Sequence, residues 1–191
     1  GGVRFARSGG EANAIAVRIA RAMSGKEGVA VCGYHGWHDW YLSANLGADD
    51  SLAGHLLPGL STAGVPPSLR GVVHPFDYND FENLVQLVTT KNIGVVKMEV
   101  MRTVEPADNF LSKVRQLCDE HGIVLVFDEC TSGFRETFGG LHMKYGVEPD
   151  GAVFGKTFGN GYAVSAVVGR SEVMQMAQTT FISSTFWTER I

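Results

Sequence analysis

Short apolar runs alternate with stretches of helical periodicity along most of this chain. The apolar runs have the length of buried strands and lie at residues 28–32, 72–73, 93–100, 123–128, 152–155 and 164–168. Helical spacing of apolar residues predicts helices at 11–23, 81–88, 110–118 and 172–178, the last capped by Ser171. The alternation predicts an α/β fold with a mostly parallel sheet flanked by helices, and in such folds ligands bind at the carboxyl ends of the strands.

Composition and charge exclude several classes of function. The 191 residues are 45% hydrophobic and 19% charged, which is ordinary for one soluble globular domain. The 16 basic and 20 acidic residues give a net charge of -4 without a run of Lys or Arg. This balance argues against a partner surface made of nucleic acid or anionic membrane.

The cysteines and the apolar segments bear on the compartment. Three cysteines, Cys32, Cys118 and Cys130, form an odd number without pairing spacing, so reduced thiols are predicted rather than a disulfide framework. No apolar stretch approaches membrane-spanning length, and no signal-peptide pattern opens the chain. We therefore predict a cytoplasmic location.

A single lysine stands between an apolar run and a glycine-rich turn in the segment FGKTFGNGYA, residues 154–163. An ammonium at a strand end that faces a cleft is costly to desolvate, and a lysine whose pKa falls for this reason becomes a nucleophile toward carbonyl carbon. Lys156 is therefore a candidate catalytic residue. The alternative is a solvated lysine in a surface turn.

An acidic residue ends the apolar run of IVLVFDECTSGFR, residues 123–135. A buried carboxylate at Asp128 needs a positive or hydrogen-bonding partner. A protonated pyridine nitrogen is such a partner, and Lys156 with Asp128 supplies what pyridoxal phosphate needs, a Schiff-base amine and a carboxylate that keeps the ring an electron sink. The alternatives for Asp128 are a helix cap and an ion pair with Arg135.

The segment SGGEAN, residues 8–13, combines a helix start with glycines. Ser8 and Glu11 fit the S-x-x-E capping box. Ser8, Gly9 and Gly10 would then form the first turn of a helix, where free N–H groups and the helix dipole can bind a phosphate. The alternative is a helix cap without a ligand.

Aromatic residues and histidines crowd the segment YHGWHDW, residues 34–40. An aromatic ring stacked on a pyridine ring would hold it flat and exclude water. His35 and His38 have the spacing of a metal pair, but no companion ligands follow at convincing spacing, so no metal site is predicted. We predict that Trp37 and Trp40 are packing residues.

These four segments, in this order, resemble the class III (subgroup II) pyridoxal-phosphate aminotransferases, in the branch that includes glutamate-1-semialdehyde aminomutase. The resemblance implies the fold-type I large domain and a homodimer with shared active sites. It also implies roles for individual residues. Lys156 would form the Schiff base, Asp128 would bind the pyridine nitrogen, Tyr34 would stack on the ring beside His35, and Cys130 would pack on the other face of the ring. The phosphate would be bound by Ser8, Gly9 and Gly10, and by Thr185 of the neighbouring subunit.

The chain departs from the pattern of the resembled family at three positions. The family often has Ser or Thr where Gly10 stands, so backbone donors would carry more of the phosphate binding. It usually has Val or Ile at the position of Cys130. It usually has Pro after the acidic residue that Glu99 matches, where this chain has Val100.

The resemblance also predicts the domain organisation. Residues 1–191 would form most of the cofactor-binding large domain, with the family's N-terminal segment and C-terminal small domain absent. The chain starts with GGVRF and stops at STFWTERI, which we interpret as a piece of a longer protein.

The sequence predicts an aminotransferase that moves an amino group between a small-molecule amino donor and a carbonyl acceptor. An aminomutase, which moves the group within one substrate, needs the same lysine and aspartate and stays open. A non-catalytic protein that keeps the fold is a third reading. A nucleotide-binding oxidoreductase is disfavoured because no G-x-G-x-x-G follows a predicted strand. The long segment 42–70 is predicted to be a loop that gates the site.

Overall fold

A seven-stranded mixed sheet forms the centre of the protein in its computed structural model, which describes residues 1–48, 51–55 and 58–188. The strands are β1 (Gly2–Ala6), β2 (Gly28–Cys32), β3 (Val73–Pro75), β4 (Ile93–Glu99), β5 (Val124–Asp128), β6 (Gly151–Phe154) and β7 (Ser165–Gly169). Their order across the sheet is β1-β7-β6-β5-β4-β2-β3. The strand pairs β3–β2, β2–β4, β4–β5 and β5–β6 are parallel, and β7 is antiparallel to both of its neighbours, β1 and β6.

Helices cover both faces of the sheet. They are α1 (Gly9–Ser24), α2 (Asp39–Leu42), α3 (Phe81–Thr90), α4 (Phe110–His121), α5 (His142–Tyr145) and α6 (Ser171–Gln175). Short 3-10 helices lie at Ser43–Leu46, Pro67–Leu69, Lys156–Gly159, Met176–Gln178 and Thr185–Thr188.

The two faces bury separate apolar clusters because side chains alternate along each strand. Val95 of β4 and Val126 of β5 belong to the cluster under α1. Val96 of β4 and Leu125 of β5 belong to the cluster under α3 and α4. Each central strand is therefore buried on both sides, which explains its continuous apolar sequence.

The start of α1 is fixed by local hydrogen bonds. The hydroxyl of Ser8 accepts the Glu11 N–H at 3.3 Å, as the predicted cap requires. The Glu11 carboxylate reaches back to the N–H of Arg7 at 2.8 Å, one residue before the position that a capping box would use. The helix ends at Gly25, whose φ of 67° is left-handed and free of cost for glycine.

Most predicted elements are present within two residues of their expected bounds. Three differences have physical reasons. The short edge strand β1 was not predicted, because its glycine and arginine obscure the alternation of apolar residues. Ser171 is the first residue of α6 rather than its cap, which is Arg170, and the helix tightens into a 3-10 turn after Gln175. Two short 3-10 helices interrupt the predicted loop 42–70, of which residues 49–50 and 56–57 lie outside the described part.

Candidate active site

The residues singled out in the sequence converge on the carboxyl edge of the sheet. Glu99 and Asp128 end β4 and β5 and are partners in the strand register. Tyr34 follows β2, Lys156 follows β6, and Ser8 follows β1. Because these strands run in the same direction, their carboxyl ends lie at one edge of the sheet, as expected for a ligand site in an α/β fold.

Asp128 is buried, with 3% of its surface exposed. Its Oδ2 accepts hydrogen bonds from Asn13 Nδ2 at 2.8 Å and from His35 Nδ1 at 2.9 Å. Its Oδ1 accepts the backbone N–H of Cys130 at 3.0 Å. Arg135, the alternative partner considered above, donates instead to the carbonyl of Thr131.

The environment of Asp128 keeps its carboxyl group ionised. Burial alone would raise the pKa. The nearby Lys97 ammonium, the hydrogen bond from His35 and the Cys130 N–H outweigh burial, so the pKa lies well below its ordinary value. A carboxylate oxygen has two lone pairs, so Oδ1 keeps acceptor capacity for one further donor.

His35 connects Asp128 to the end of β2. The imidazole is fully buried, and its Nε2 lies 3.2 Å from the carbonyl oxygen of Cys32. Burial lowers the pKa of His35 despite the hydrogen bond to Asp128, which favours the neutral ring with one proton. The shorter contact with an anion places that proton on Nδ1, where it is donated to Asp128.

Lys97 is a charged residue of the site that the sequence analysis missed. It lies in the middle of β4, is fully buried, and its Nζ is 3.5 Å from Asp128 Oδ2. Burial lowers the pKa of Lys97, while the carboxylate of Asp128 acts in the opposite direction. The only signal in the sequence is one lysine inside the apolar run IGVVKME, and its direction cannot be read without the register of the sheet.

Lys156 lies at the start of the 3-10 helix after β6, and its Nζ donates to Thr131 Oγ1 at 2.7 Å. The side chain is exposed, so the desolvation expected from the sequence is not present in this chain. Its backbone φ of 45° is left-handed, which costs a residue with a Cβ about 1–2 kcal/mol. The fold therefore holds Lys156 in a strained conformation at the site.

The first turn of α1 faces the same edge. The helix has no acceptor of its own for the N–H groups of Gly9 and Gly10. Ser165 Oγ donates to the carbonyl of Ser8 at 2.8 Å and fixes the turn against β7. A Cβ on Gly10 would lie 2.7 Å from the imidazole of His38, so that ring occupies the space beside the residue.

The thiol of Cys130 lies between two glycines of the site. A Cβ on Gly9 would lie 3.1 Å from Cys130 Sγ, and a Cβ on Gly155 would lie 3.2 Å from it. Burial raises the pKa of this thiol, so it stays protonated. Cys130 therefore links the turn before α1 to the turn that carries Lys156.

Tyr34 and Glu99 form the other side of the site. The Glu99 carboxylate accepts the backbone N–H of Tyr34 at 3.0 Å and lies 3.5 Å from Arg102 Nη1. Burial raises the pKa of Glu99, against the effect of these two partners. The guanidinium of Arg102 lies 5.9 Å from the centre of the half-buried Tyr34 ring.

Glu129, the residue after Asp128, holds the following loop in place. Its buried carboxylate accepts the N–H groups of Leu141 and His142 at 3.0 Å each. It also accepts from His142 Nδ1 at 2.8 Å and from the hydroxyl of Ser132. Although burial raises the pKa of Glu129, these donors prevail and lower it. This anchor was not predicted because three of its four donors come from 12 and 13 residues further along the chain.

Thr185 is not brought to Asp128 within this chain. It is exposed and begins the 3-10 helix Thr185–Thr188, which packs at the β1 edge of the sheet. The indole of Trp187 donates to the carbonyl of Phe5 at 2.8 Å and anchors this segment. The strands β7 and β6 separate β1 from β5.

Two features are absent from residues 1–48, 51–55 and 58–188. Within these ranges no helix has the length and apolarity to cross a bilayer. The same ranges contain no group of three or more His, Cys, Asp or Glu side chains that could hold a metal ion.

We predict strong energetic coupling between Lys97 and Asp128 in the cofactor-free protein. Asp128→Asn leaves a buried ammonium without a counter-charge and should cost about 3–5 kcal/mol of unfolding free energy. Adding Lys97→Met should recover about 1–3 kcal/mol of that loss. Chemical denaturation of the two single variants and the double variant measures the coupling.

The exposed pair of Lys144 and Glu136, at 3.0 Å, is the control for this cycle. Lys144→Met and Glu136→Gln should show little coupling, since solvent screens exposed ion pairs. Additive effects of Lys97→Met and Asp128→Asn would contradict the assigned ion pair.

The left-handed backbone at Lys156 predicts an unusual order of stability for two substitutions. Lys156→Gly should be more stable than Lys156→Ala by about 1 kcal/mol, because glycine adopts this conformation without strain. Melting of the cofactor-free variants measures the difference. The control is Lys113 in α4, where alanine should be the more stable of the two by a similar amount, about 1 kcal/mol. An alanine variant at 156 as stable as the glycine variant would disprove the strain.

Comparison with known proteins places this chain in a family. Residues 2–191 match the aminotransferase class-III family. The chain is 35% identical over 190 residues to 3-aminobutyryl-CoA aminotransferase of Cloacimonas acidaminovorans (strain Evry), covering 95% of this chain and 42% of that protein. It is 37% identical over 181 residues to glutamate-1-semialdehyde 2,1-aminomutase of Nitratidesulfovibrio vulgaris (strain DP4), covering 91% of this chain and 42% of that protein. The chain thus spans about two fifths of the length of these curated relatives.

Solved structures show the same fold. An omega-transaminase from Sphaerobacter thermophilus superposes with a TM-score of 0.77 at 30% identity, covering 90% of this chain and 41% of that one. A transaminase with PLP bound gives a TM-score of 0.74 at 28% identity, covering 91% of this chain and 41% of that one. The sheet and its helices have the fold-type I architecture, as predicted. With residues 2–191 matching its signature, the chain belongs to the class-III aminotransferases.

Proposed function

We propose that this chain is the cofactor-binding large domain of a pyridoxal-phosphate-dependent aminotransferase. The observation that carries the proposal is the buried, ionised Asp128, which shares the carboxyl edge of the sheet with the exposed amine of Lys156. The two relatives described above, which match 95% and 91% of the chain, are an aminotransferase and an aminomutase, and a solved transaminase with the same fold contains PLP.

The residues of the edge fit this cofactor. Asp128 Oδ1 has acceptor capacity for the N–H of a protonated pyridine ring. The first turn of α1 offers the N–H groups of Gly9 and Gly10, with the hydroxyl of Ser8 beside them, to a phosphate. Lys156 Nζ is held by one hydrogen bond to Thr131 and is otherwise open to solvent, so it can bond to a carbonyl carbon.

Each residue has a defined task in the proposed reaction. When bound, pyridoxal phosphate supplies a carbonyl carbon for amines and a ring that withdraws electrons from them. Asp128 would hold the proton on the ring nitrogen, and His35 orients the Asp128 carboxylate. Lys156 would hold the cofactor covalently, and its free Nζ would move a proton to or from the substrate carbon. Tyr34 and Cys130 would cover the two faces of the ring and exclude water.

The proposal includes a small-molecule amino donor, a carbonyl acceptor and a homodimer with shared sites. The position of Thr185 at the β1 edge, away from Asp128, suits a residue that serves the phosphate site of the neighbouring subunit. The gating role of segment 42–70 and the cytoplasmic location stay predictions.

Trapping with borohydride tests the covalent role of Lys156. The protein is prepared with any sequence that flanks these residues, loaded with pyridoxal phosphate, reduced and mapped by peptide mass spectrometry. We expect the phosphopyridoxyl group on Lys156, its loss in Lys156→Ala, and its retention in the control Lys113→Ala. Labelling elsewhere, or none at all, would overturn the proposed function in favour of a non-catalytic protein with this fold.

An aminomutase is the second candidate, because the relatives include glutamate-1-semialdehyde 2,1-aminomutases at 35–37% identity. The two activities differ in what leaves the site. With one amino donor and no acceptor, an aminotransferase should release one keto product per active site, which we expect here. Chromatography of the released product measures this. An isomer of the donor, formed over many turnovers without a keto product, would instead establish the aminomutase.

A further inference from the structure

The ammonium of Lys97 lies among apolar side chains except at one point. In the strand register its neighbours are Val31 of β2 and Val126 of β5. Its side chain shares the α1 face of the sheet with Val95, two residues before it. Burying a lysine is costly unless a counter-charge is present, and Asp128 Oδ2 at 3.5 Å supplies that charge.

The other titratable groups around Lys97 do not neutralise it. Burial lowers the pKa of His35, which favours its neutral form, and its Nδ1 contacts the same Oδ2 of Asp128 that faces Lys97. The Cys130 thiol stays protonated, since burial raises its pKa. Glu99 lies at the end of the same strand and is committed to the Tyr34 N–H and to Arg102. With Asp128 as its counter-charge, a protonated Lys97 forms a buried pair whose net charge is zero.

The hydrogen-bond donors and the one ion-pair partner are distributed unequally over the two oxygens of Asp128. Asn13, His35 and Lys97 all approach Oδ2, whereas Oδ1 receives the Cys130 N–H alone. A pyridine nitrogen at Oδ1 would thus meet a carboxylate whose negative charge is already compensated from the other side. A proton on that nitrogen would leave one net positive charge in the buried cluster, which is unfavourable relative to a carboxylate without Lys97.

We propose that Lys97 is a positioning residue that acts through Asp128 to lower the proton affinity of the pyridine nitrogen of bound pyridoxal phosphate. This inference rests on the proposed function. In this way a residue that does not touch the cofactor would influence how strongly the ring withdraws electrons. Lys97 therefore acts on the ring nitrogen from its buried position in β4, through Asp128.

The test is a pH titration of the ring nitrogen by 15N NMR, with 15N-labelled pyridoxal phosphate bound to the protein with its flanking sequence. The variants are Lys97→Met and the surface control Lys113→Met. We expect Lys97→Met to raise the proton affinity of the ring nitrogen at least tenfold, about one to three pKa units, and Lys113→Met to leave it unchanged. Coincident titrations of Lys97→Met and the unsubstituted protein would overturn the inference.

A second readout needs no cofactor. In cofactor-free protein with 13Cε-labelled lysine, the Lys97 signal, assigned by its loss in Lys97→Met or Lys97→Gln, should show an ammonium at neutral pH. A neutral amine at Lys97 would overturn the inference. If both variants fail to fold, the Lys97 signal is assigned as the one lysine signal that remains after the exposed lysines have been assigned. A failure of the proposed function is observed in a different experiment, as the absence of cofactor on Lys156 after borohydride reduction. It is therefore distinguishable from a failure in either NMR measurement.

Discussion

The buried carboxylate of Asp128 is the interaction on which the rest of the site depends. An ion at the end of a central strand is costly to bury, and the fold offsets this cost with three hydrogen-bond donors and one ion-pair partner from four separate parts of the chain. Asn13 comes from α1, His35 from the turn after β2, Lys97 from β4, and the N–H of Cys130 from the loop after β5. Because each donor requires its own element in place, ionised Asp128 couples the helix, the strands and the turns of the carboxyl edge.

The charged residues at this edge divide into one that anchors the fold and two that can contact a ligand. Glu129 next to Asp128 is satisfied entirely by donors of its own loop, so it anchors residues 129–142 and has no capacity left for a ligand. Asp128 is held mainly through Oδ2, and its Oδ1 remains able to accept. Lys156, by contrast, is exposed and held by one hydrogen bond in a left-handed backbone conformation. The rigid carboxylate and the accessible amine are the two properties that the proposed covalent chemistry requires.

Much of this arrangement can be predicted from the sequence because strand ends can be located by apolar runs. Asp128, Tyr34 and Lys156 follow such runs, and the cap formed by Ser8 is a local signal. Lys97 could not be predicted, since its partner lies 31 positions away and its direction depends on the register between β4 and β5. The anchoring role of Glu129 could not be predicted for a similar reason, because its partners Leu141 and His142 are distant in the sequence. The exposure of Lys156 also differs from expectation, because the sequence locates the strand end but not what covers it.

A crystal structure of the protein with its flanking sequence, grown with pyridoxal phosphate, tests the account most directly. The account predicts continuous electron density from Lys156 Nζ to the cofactor and a hydrogen bond between the pyridine nitrogen and Asp128 Oδ1. It also predicts the phosphate at the first turn of α1. A cofactor bound elsewhere, or a pyridine nitrogen with no contact to Asp128, would contradict the central role assigned to this carboxylate.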